Sequence, residues 1–267
     1  MILSAIALSV FRESVRDRVF YNLLLFAVLL VAASFLIGQL TAGQDLKIIK
    51  DLGLAATSLF GLFIAVFVGI NVVWKEVERR SVYNLLSKPV LRYQLVLGKY
   101  AGLLLTLLVN VAVMAVVLYV LLAYMNATLP AGMKQAAEAP AVDPRLLLAF
   151  LLIFVQLAIV TALALFFSTF SSPMLSAALT FGLYVVGHFN ADLKNFEAIV
   201  PSRVVGWIAR ALYYLLPNLA PLDVKTQVVH GQPVAAGYVG LGVAYAAVYV
   251  AALLLAACAI FSRRDLK

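Results

Sequence analysis

Long uncharged, mostly apolar stretches recur along the chain and are separated by short polar segments. A helix that crosses a lipid bilayer needs about 20 consecutive apolar residues. The run 146–191 holds 46 uncharged residues, too many for one crossing. Near its centre, Ser171-Ser172-Pro173 is typical of one helix ending and another beginning. The pattern therefore predicts six transmembrane helices, at about 19–40, 52–74, 100–125, 146–168, 173–190 and 235–261.

The composition places these helices in lipid. Hydrophobic residues make up 65% of the 267 positions and charged residues only 12%, whereas a soluble domain is about half apolar and about a quarter charged. We therefore expect an all-α integral membrane protein in which residues 1–267 form a single transmembrane domain. The one cysteine, Cys258, excludes an intramolecular disulfide and a thiolate cluster.

The charges between the apolar runs differ between the two sides of the predicted bundle. The side with both termini and residues 75–99 carries 12 Lys and Arg against 5 Asp and Glu, and the other side carries 8 against 7. Because positive charge concentrates on the cytoplasmic side, we predict that both termini and residues 75–99 are cytoplasmic. The charges punctuate apolar runs rather than cover a soluble face, so the net charge of +8 does not indicate a nucleic-acid partner.

The first 18 residues begin with an apolar stretch, and their basic residues Arg12, Arg16 and Arg18 follow it. A secretory signal peptide has the reverse order, and the apolar stretch is too short to cross a membrane. We predict a cytoplasmic helix at residues 1–18 that lies in the membrane interface and leads into the first span.

The segment from 74 to 100, "WKEVERRSVYNLLSKPVLRYQLVLGKY", holds six of the 20 basic residues. Glu76 and Arg80 are spaced to support a helix, and the residue before Pro89 disfavours helical backbone. The pattern predicts a helix, a break and a second helix that enters the third span. A positive cytoplasmic anchor would need only Lys and Arg in any order. The sequence "VYNLL" between the charges instead indicates a surface that another protein covers.

The longest predicted outer loop, 191–234, contains a stretch with helical spacing of apolar and aromatic residues at about 203–216. Trp207, Tyr213 and Tyr214 in this stretch suit the boundary between water and lipid. Two interpretations stay open: a re-entrant or interfacial helix in the outer leaflet, or a helix that only caps the bundle.

Asp, Glu, His and Lys are nearly absent from the predicted spans, where we find only His188, near the outer end of the fifth. We interpret His188 as an interfacial hydrogen-bonding residue rather than a proton relay or metal ligand, and His230 has no nearby His or Cys in sequence. An ion-coupled transporter usually keeps charged groups at mid-membrane depth. An enzyme would need clustered acids, His, or a nucleophile with a base. Neither pattern occurs.

Polar and small residues in the spans are expected to serve packing. Four polar residues either join helices or line a path, and joining is the preferred interpretation. They are Asn71, Asn110, Gln156 and Thr161. Two sets of glycines would let helices approach closely. They are Gly98 with Gly102, and Gly237 with Gly240 and Gly242.

The stretch "VWKEVERRSVYNLLSKPVLRYQLVLGKYAG" (73–102) resembles the loop between the second and third spans of ABC-2-type transporter permeases. These loops commonly show an acidic residue with basic neighbours, then Leu-Leu-Ser, Pro-Val, a basic residue and Gly-Lys. The matching positions are Glu76, Arg79, Arg80, Leu85, Leu86, Ser87, Pro89, Val90, Arg92, Gly98 and Lys99. Arg80-Ser81 stands where the family often has Gly-Thr. The "STFSSP" and "LLPNLAPLD" segments extend the resemblance across the chain, nearest to the permease group that includes the nitrous-oxide-reductase maturation transporter.

The resemblance implies the ABC-2 exporter fold and a membrane subunit of an ATP-driven exporter. The chain has no GxxxxGK[ST] phosphate loop, so ATP and Mg²⁺ would bind to a separate ATPase subunit. This chain itself would hold no cofactor, metal or catalytic site. The residues implied to contact the ATPase are Glu76, Glu78, Arg79, Arg80, Tyr83 and Arg92. The N-terminal helix would lie beside them.

Such permeases pair with a second permease, the same chain or a paralogue, in the plasma membrane of a bacterium or archaeon. Some relatives only transmit force to periplasmic partners, and that is the main alternative to an exporter. An ion-coupled secondary transporter is the second alternative. The resemblance identifies no substrate.

Overall fold

The computed structural model describes residues 2–39, 45–78, 91–128, 140–189, 213 and 216–263. Within these ranges the chain is helical, with turns and no β-strand. The helices are α1 (Ile2–Val15), α2 (Arg18–Gln39), α3 (Asp45–Glu78), α4 (Arg92–Thr128), α5 (Leu146–Ser168), α6 (Pro173–His188), α7 (Lys225–Val229) and α8 (Ala236–Arg263), with a 3-10 helix at Ala220–Leu222. The predicted all-α membrane fold is confirmed.

Five helices of the described part of the chain are long and apolar enough to cross a membrane. Their apolar spans are Arg18–Leu36, Leu46–Val72, Tyr93–Thr128, Leu146–Ser168 and Ala236–Ser262. They match five of the six predicted crossings. The predicted fifth crossing is α6, which has 16 residues. It extends about 24 Å, less than the hydrocarbon core of a bilayer at about 30 Å.

α3 and α4 extend beyond the predicted second and third spans at both ends. α3 has 34 residues and α4 has 37, so each is longer than about 50 Å. Lys50 and Lys99, which border the predicted second and third spans, lie inside these helices and their apolar spans. The predicted spans, which contain His188 but no Asp, Glu, Lys or Arg, are therefore shorter than these helices. They end at the nearest charge, although the helix continues through it.

The centre of the bundle is formed by α3 and α5. In an 18-residue apolar stretch of each helix, 72% of the residues are buried in α3 and 78% in α5, against 22% in α2 and 17% in α8. Glycines on α3 leave room for leucines from both neighbours. Leu118 of α4 fills the space beside Gly53, and Leu157 of α5 fills the space beside Gly61. Such close approach lets dispersion forces hold helices together where lipid supplies no hydrophobic driving force.

The N-terminal helix α1 packs on the first turns of α4. A Cβ atom on Gly98 would come within 2.7 Å of Ile6, and one on Gly102 would come within 2.6 Å of the Ala7 carbonyl oxygen. These glycines therefore form the seat of α1, as expected of a helix-packing pair. Of the three α8 glycines, Gly237 and Gly240 have open space where a Cβ would lie, whereas a Cβ on Gly242 would come within 3.0 Å of Leu222.

A tight turn joins α5 to α6, as the sequence predicts. Ser172 is the N-cap residue of α6 with extended backbone (φ −69°, ψ 158°), and Pro173 follows in the first turn. Proline suits this position because its missing N–H would have no helical partner there. α5 and α6 consequently run in opposite directions.

The far end of α6 lies level with the middle of α5. His188, the last residue of α6, is 2.8 Å from Gln156 through its Nε2 atom. Gln156 is the eleventh of the 23 residues of α5. From the turn at Pro173, α6 therefore reaches only about halfway along its neighbour.

Residues 216–224, which we call the return segment, bring the chain back to the end of α6. The Leu219 N–H donates to the Gly187 carbonyl at 2.9 Å, and the Asn218 N–H donates to the Tyr245 hydroxyl at 2.8 Å. Leu219 and Leu222 are buried. Non-helical backbone in a membrane needs protein partners for its polar groups, and these bonds supply partners for the Asn218 and Leu219 N–H groups.

Candidate functional site

One end of the bundle, which we call the charged-loop end, brings together α1, the last turns of α3 and the first turns of α4. Glu76 and Glu78 lie in the last turn of α3, and Arg92 is the first residue of α4. The structure therefore places these predicted contact residues on the two helix ends that flank residues 79–91. The other three predicted contact residues, Arg79, Arg80 and Tyr83, lie outside the described residues.

The start of α4 is fixed by a side chain. Gln94, the third residue of the helix, accepts a hydrogen bond from the Leu91 backbone N–H at 3.3 Å through Oε1. This is half of a capping box, in which the third helical residue satisfies the N–H of the residue before the helix. Leu91 and Tyr93 beside it are 54% and 49% exposed. The charged-loop end thus presents apolar side chains that the sequence analysis did not single out.

Lys99 lies beneath this surface and connects α4 to α3. Its side chain is only 4% exposed, and its Nζ donates to the Val72 carbonyl of α3 at 3.3 Å. Sequence reasoning noted Lys99 only as part of the Gly-Lys motif. The adjacent glycines, which allow α1 to approach closely, were the available signal that this position is a junction.

The predicted N-terminal arginines are accessible. Arg12 and Arg16 are exposed and line an open cleft of about 700 Å³ on α1, together with Leu8 and Glu13. Arg18 is the exposed first residue of α2. Asp17 is the N-cap of α2, because its Oδ1 accepts from the Val19 N–H at 3.0 Å.

The opposite end of the bundle holds a second buried lysine that sequence reasoning missed. Lys50 near the start of α3 is 1% exposed, and its Nζ donates to the Pro140 carbonyl at 2.7 Å. Asp143 nearby is 3% exposed, and its backbone carbonyl accepts from the Tyr119 hydroxyl at 2.8 Å. Arg145 then donates to the Gly231 carbonyl. These bonds fasten residues 140–145 to α3, α4 and the turn after α7.

One pair of polar residues inside the bundle joins two helices. Gln156 of α5 bonds His188, whose Nδ1 is 2.9 Å from the Tyr184 carbonyl of its own helix. A neutral imidazole fits this arrangement, with Nδ1–H donating to the carbonyl and Nε2 accepting from the Gln156 amide. The predictions that Gln156 joins helices and that His188 is a hydrogen-bonding residue are confirmed. His188 lies deeper than expected, level with the middle of α5.

The other polar candidates behave differently from one another. Thr161 donates back to the Leu157 carbonyl of its own helix at 2.8 Å, so it does not join helices in this way. Asn110 is fully buried, and neither polar atom of its side chain has a hydrogen-bond partner among the described residues. Asn71 is half-buried. The predicted joining interpretation is thus supported for Gln156 but not for Thr161.

Of the predicted outer aromatic residues, Tyr213 is half-buried, whereas Trp207 and Tyr214 lie outside the described residues. Across the ranges that the structure covers, no three His, Cys, Asp or Glu residues are grouped as metal ligands would be. Cys258 on α8 is partly buried and has a free thiol.

The fold and its long helices define a multi-pass α-helical membrane protein with a charged segment between its second and third spans. Comparison with protein families matches residues 4–266 to the ABC-2 family transporter protein family. The chain belongs to this family, and it is an ABC transporter permease. Comparison with curated proteins gives no match. The nearer likeness to the nitrous-oxide-reductase maturation group stays a prediction.

Proposed function

We propose that the chain is the membrane subunit of an ABC exporter and that a separate ATPase subunit docks on the charged-loop end. The observation that carries the proposal is family membership across residues 4–266, because permeases of this family generally lack an ATPase site of their own. In this proposal the partner binds ATP with Mg²⁺, and hydrolysis drives export or movement of a substrate within the bilayer.

The helices beside residues 79–91 support docking at this end. α3 continues without a break for six residues beyond Val72, the end of its apolar span, to Glu78. That extension is about 9 Å long. A continuous helix transmits displacement along its axis, whereas a flexible loop absorbs it. The proposed contact surface consists of Glu76, Glu78, Arg79, Arg80, Tyr83 and Arg92.

The exposed apolar residues at the start of α4 add to this surface. Leu91 and Tyr93 stand beside Arg92, so charged and apolar side chains alternate there. Protein interfaces commonly combine an aromatic or apolar centre with a charged rim. We therefore include Leu91 and Tyr93 in the proposed contact, with Arg12 and Arg16 of α1 at its edge.

The proposed orientation follows from charge. The end with residues 75–99 and both termini carries 12 Lys and Arg against 5 Asp and Glu, which favours the cytoplasmic side. An ATPase fuelled by cytoplasmic ATP would dock there. The membrane is proposed to be the plasma membrane of a bacterium or archaeon.

A second permease copy or paralogue is the other proposed partner. α2 and α8 are mostly unburied in the single chain, and exposed apolar residues such as Phe26 and Leu241 cover them. Lipid or another permease would contact these faces. A periplasmic partner would be needed only if the complex transmits force rather than moves a substrate.

Co-purification from membranes tests the proposal. We expect the unmodified chain to retain an ATPase subunit and to alter its rate of ATP hydrolysis. The double substitution Arg79→Glu with Arg80→Glu should abolish retention while the chain still inserts, because reversed charge opposes a docked acidic surface.

The matched control is Arg203→Glu with Arg210→Glu, which makes the same change of charge in the predicted outer loop. It should leave retention of the ATPase intact. Full retention after the change at Arg79 and Arg80 would contradict docking through these residues. Absence of any ATPase with the unmodified chain would contradict the proposed function itself.

A further inference from the structure

Lys99 occupies an unusual place for a basic residue of a membrane protein. Positive charges near span ends normally lie at the lipid surface, where long side chains extend toward water. The Lys99 side chain is instead 4% exposed. It lies between α4 and α3, and its ammonium group donates to the Val72 carbonyl at 3.3 Å.

This bond crosses the base of the hairpin that α3 and α4 form around residues 79–91. From Val72 to the end of α3 there are six residues, and from the start of α4 to Lys99 there are seven. Each arm is therefore about two helical turns, or roughly 10 Å. The two arms are therefore nearly equal in length, and the Lys99–Val72 bond connects them at their base.

The same short piece of α4 also holds α1. Gly98 and Gly102 flank Lys99, and they bring Ile6 and Val10 of α1 against the helix backbone. Residues 98–102 are thus the point where α1, α3 and α4 meet. A displacement of the adjoining ends of α3 and α4 would act on all three helices at this junction.

Packing alone does not require a lysine here. Val72 is inside α3, where carbonyls already accept from the helix itself, and the neighbouring buried residues of α4 include Leu95 and Leu103. Removing an ammonium from water costs several kcal/mol unless bonds compensate it, so an apolar residue would fill the space with less cost. What lysine adds is a charge-assisted bond from its ammonium group on α4 to a backbone carbonyl of α3, and such bonds are stronger than neutral ones.

We infer that Lys99 is a positioning residue that makes the ends of α3 and α4 move as one unit when the partner ATPase acts on residues 79–91. The inference rests on the proposed function. In this mechanism the ATPase moves the hairpin as a rigid lever, and the Lys99–Val72 bond keeps the two arms from spreading. Without the bond, the arms separate and the movement is lost before it reaches the membrane spans.

The test is Lys99→Met in the complete complex with its ATPase, reconstituted in lipid. Methionine keeps the length and apolar stem but removes the charged donor. We expect the ATPase to remain bound, while the change that the permease causes in ATP hydrolysis, relative to the ATPase alone, falls by roughly threefold or more. Lys99→Arg, which keeps a charged donor, should recover at least half of that change.

Lys50→Met is the matched control. Lys50 is equally buried and also donates to a backbone carbonyl, but it lies at the opposite end of α3. We expect it to change coupling by less than about twofold. If Lys99→Met and Lys50→Met reduce coupling equally and lower the melting temperature equally, the role of Lys99 is structural and the inference is wrong.

Other outcomes are also decisive. Unchanged coupling in Lys99→Met would overturn the inference. If that variant does not accumulate, Lys99→Gln replaces it, and full coupling in Lys99→Gln overturns the inference in the same way. If the unmodified chain binds the ATPase without changing its hydrolysis, this inference fails while docking stands. If no ATPase binds the unmodified chain, both fail.

Discussion

α5 and α8 are similar in sequence character but occupy opposite environments. Apolar stretches of 18 residues in the two helices have mean hydropathies of 2.8 and 2.4, yet 78% of this stretch is buried in α5 and only 17% in α8. Both are surrounded by apolar atoms, from protein in one case and from lipid or another chain in the other. Hydropathy therefore identifies a membrane helix without locating it in the bundle.

The polar residues of the two helices separate them better. α5 carries Gln156 and Thr161 at fully buried positions, where bulk water does not reach their hydrogen-bonding groups. α8 carries Tyr238 and Tyr245, whose hydroxyls contact the return segment. A central membrane helix satisfies its polar groups with its own or adjacent helices. A peripheral one directs them toward irregular backbone or the lipid surface.

The largest expected difference between the two helices concerns loss of packing. Leu157→Ala in α5 leaves a cavity beside Gly61, whereas Leu255→Ala in α8 changes a residue that is 72% exposed. We expect a loss of about 2–4 kcal/mol for Leu157→Ala, as for buried leucines elsewhere, and little change for Leu255→Ala. Thermal unfolding in one detergent measures both, and equal losses would contradict the central position of α5.

Overpacking should give the next effect. Ala164 of α5 is fully buried, and its Cβ lies 3.6 Å from where a Cβ on Gly69 would be. Ala164→Leu should therefore destabilise the protein by about 1–3 kcal/mol. Ala252→Leu on the exposed surface of α8 is the control, and it should have a neutral effect on the melting temperature. A stable Ala164→Leu variant would show that α5 has more space than the structure indicates.

A smaller effect should follow from removing one cross-helix hydrogen bond. Gln156→Leu breaks the bond to His188, so we expect a loss of about 0.6–1.7 kcal/mol. Thr161→Val on the same helix removes a hydroxyl that bonds only within α5 in the contacts described above. It should be neutral or slightly stabilising. The comparison fails if the melting temperatures of the two variants are the same.

The smallest expected effect is local. Tyr238→Phe removes the bond from the Tyr238 hydroxyl to the Pro221 carbonyl at 2.6 Å, which is partly exposed. We expect a loss of about 0.5–1 kcal/mol that is confined to the return segment. Hydrogen exchange of the Leu222 and Asp223 amides should accelerate while exchange in α5 stays unchanged. Faster exchange throughout the protein would contradict a local effect.

The sequence predicts much of this fold because its signals are local. A run of apolar residues predicts a helix wherever it occurs, and Ser172-Pro173 specifies a turn through backbone chemistry alone. The glycines at 98 and 102 likewise predict a close contact, although only the structure shows that α1 fills it. Charged residues misled the prediction, because a lysine at the end of an apolar run was taken as the end of the span.

The sequence likewise predicts some features of the candidate site and not others. The spacing of charges indicates the charged-loop end, and helix bounds then put Glu76, Glu78 and Arg92 beside it. The burial of Lys99 and Lys50 depends on contacts with residues far away in the chain, Val72 and Pro140. No local pattern specifies such pairs. The position at which α6 ends, level with the middle of α5, likewise depends on contacts with distant residues, namely Gln156 and the return segment.

The return segment has a consequence for how α8 is built. Hydrocarbon cannot hydrogen-bond a peptide group, so a chain that leaves the helical conformation inside a membrane must find replacements for water. Two prolines, Pro217 and Pro221, reduce the number of N–H groups that need one. The Tyr238 hydroxyl donates to the Pro221 carbonyl, and the Tyr245 hydroxyl accepts from the Asn218 N–H. On this face α8 takes the place of water as a hydrogen-bond partner for the backbone of the return segment.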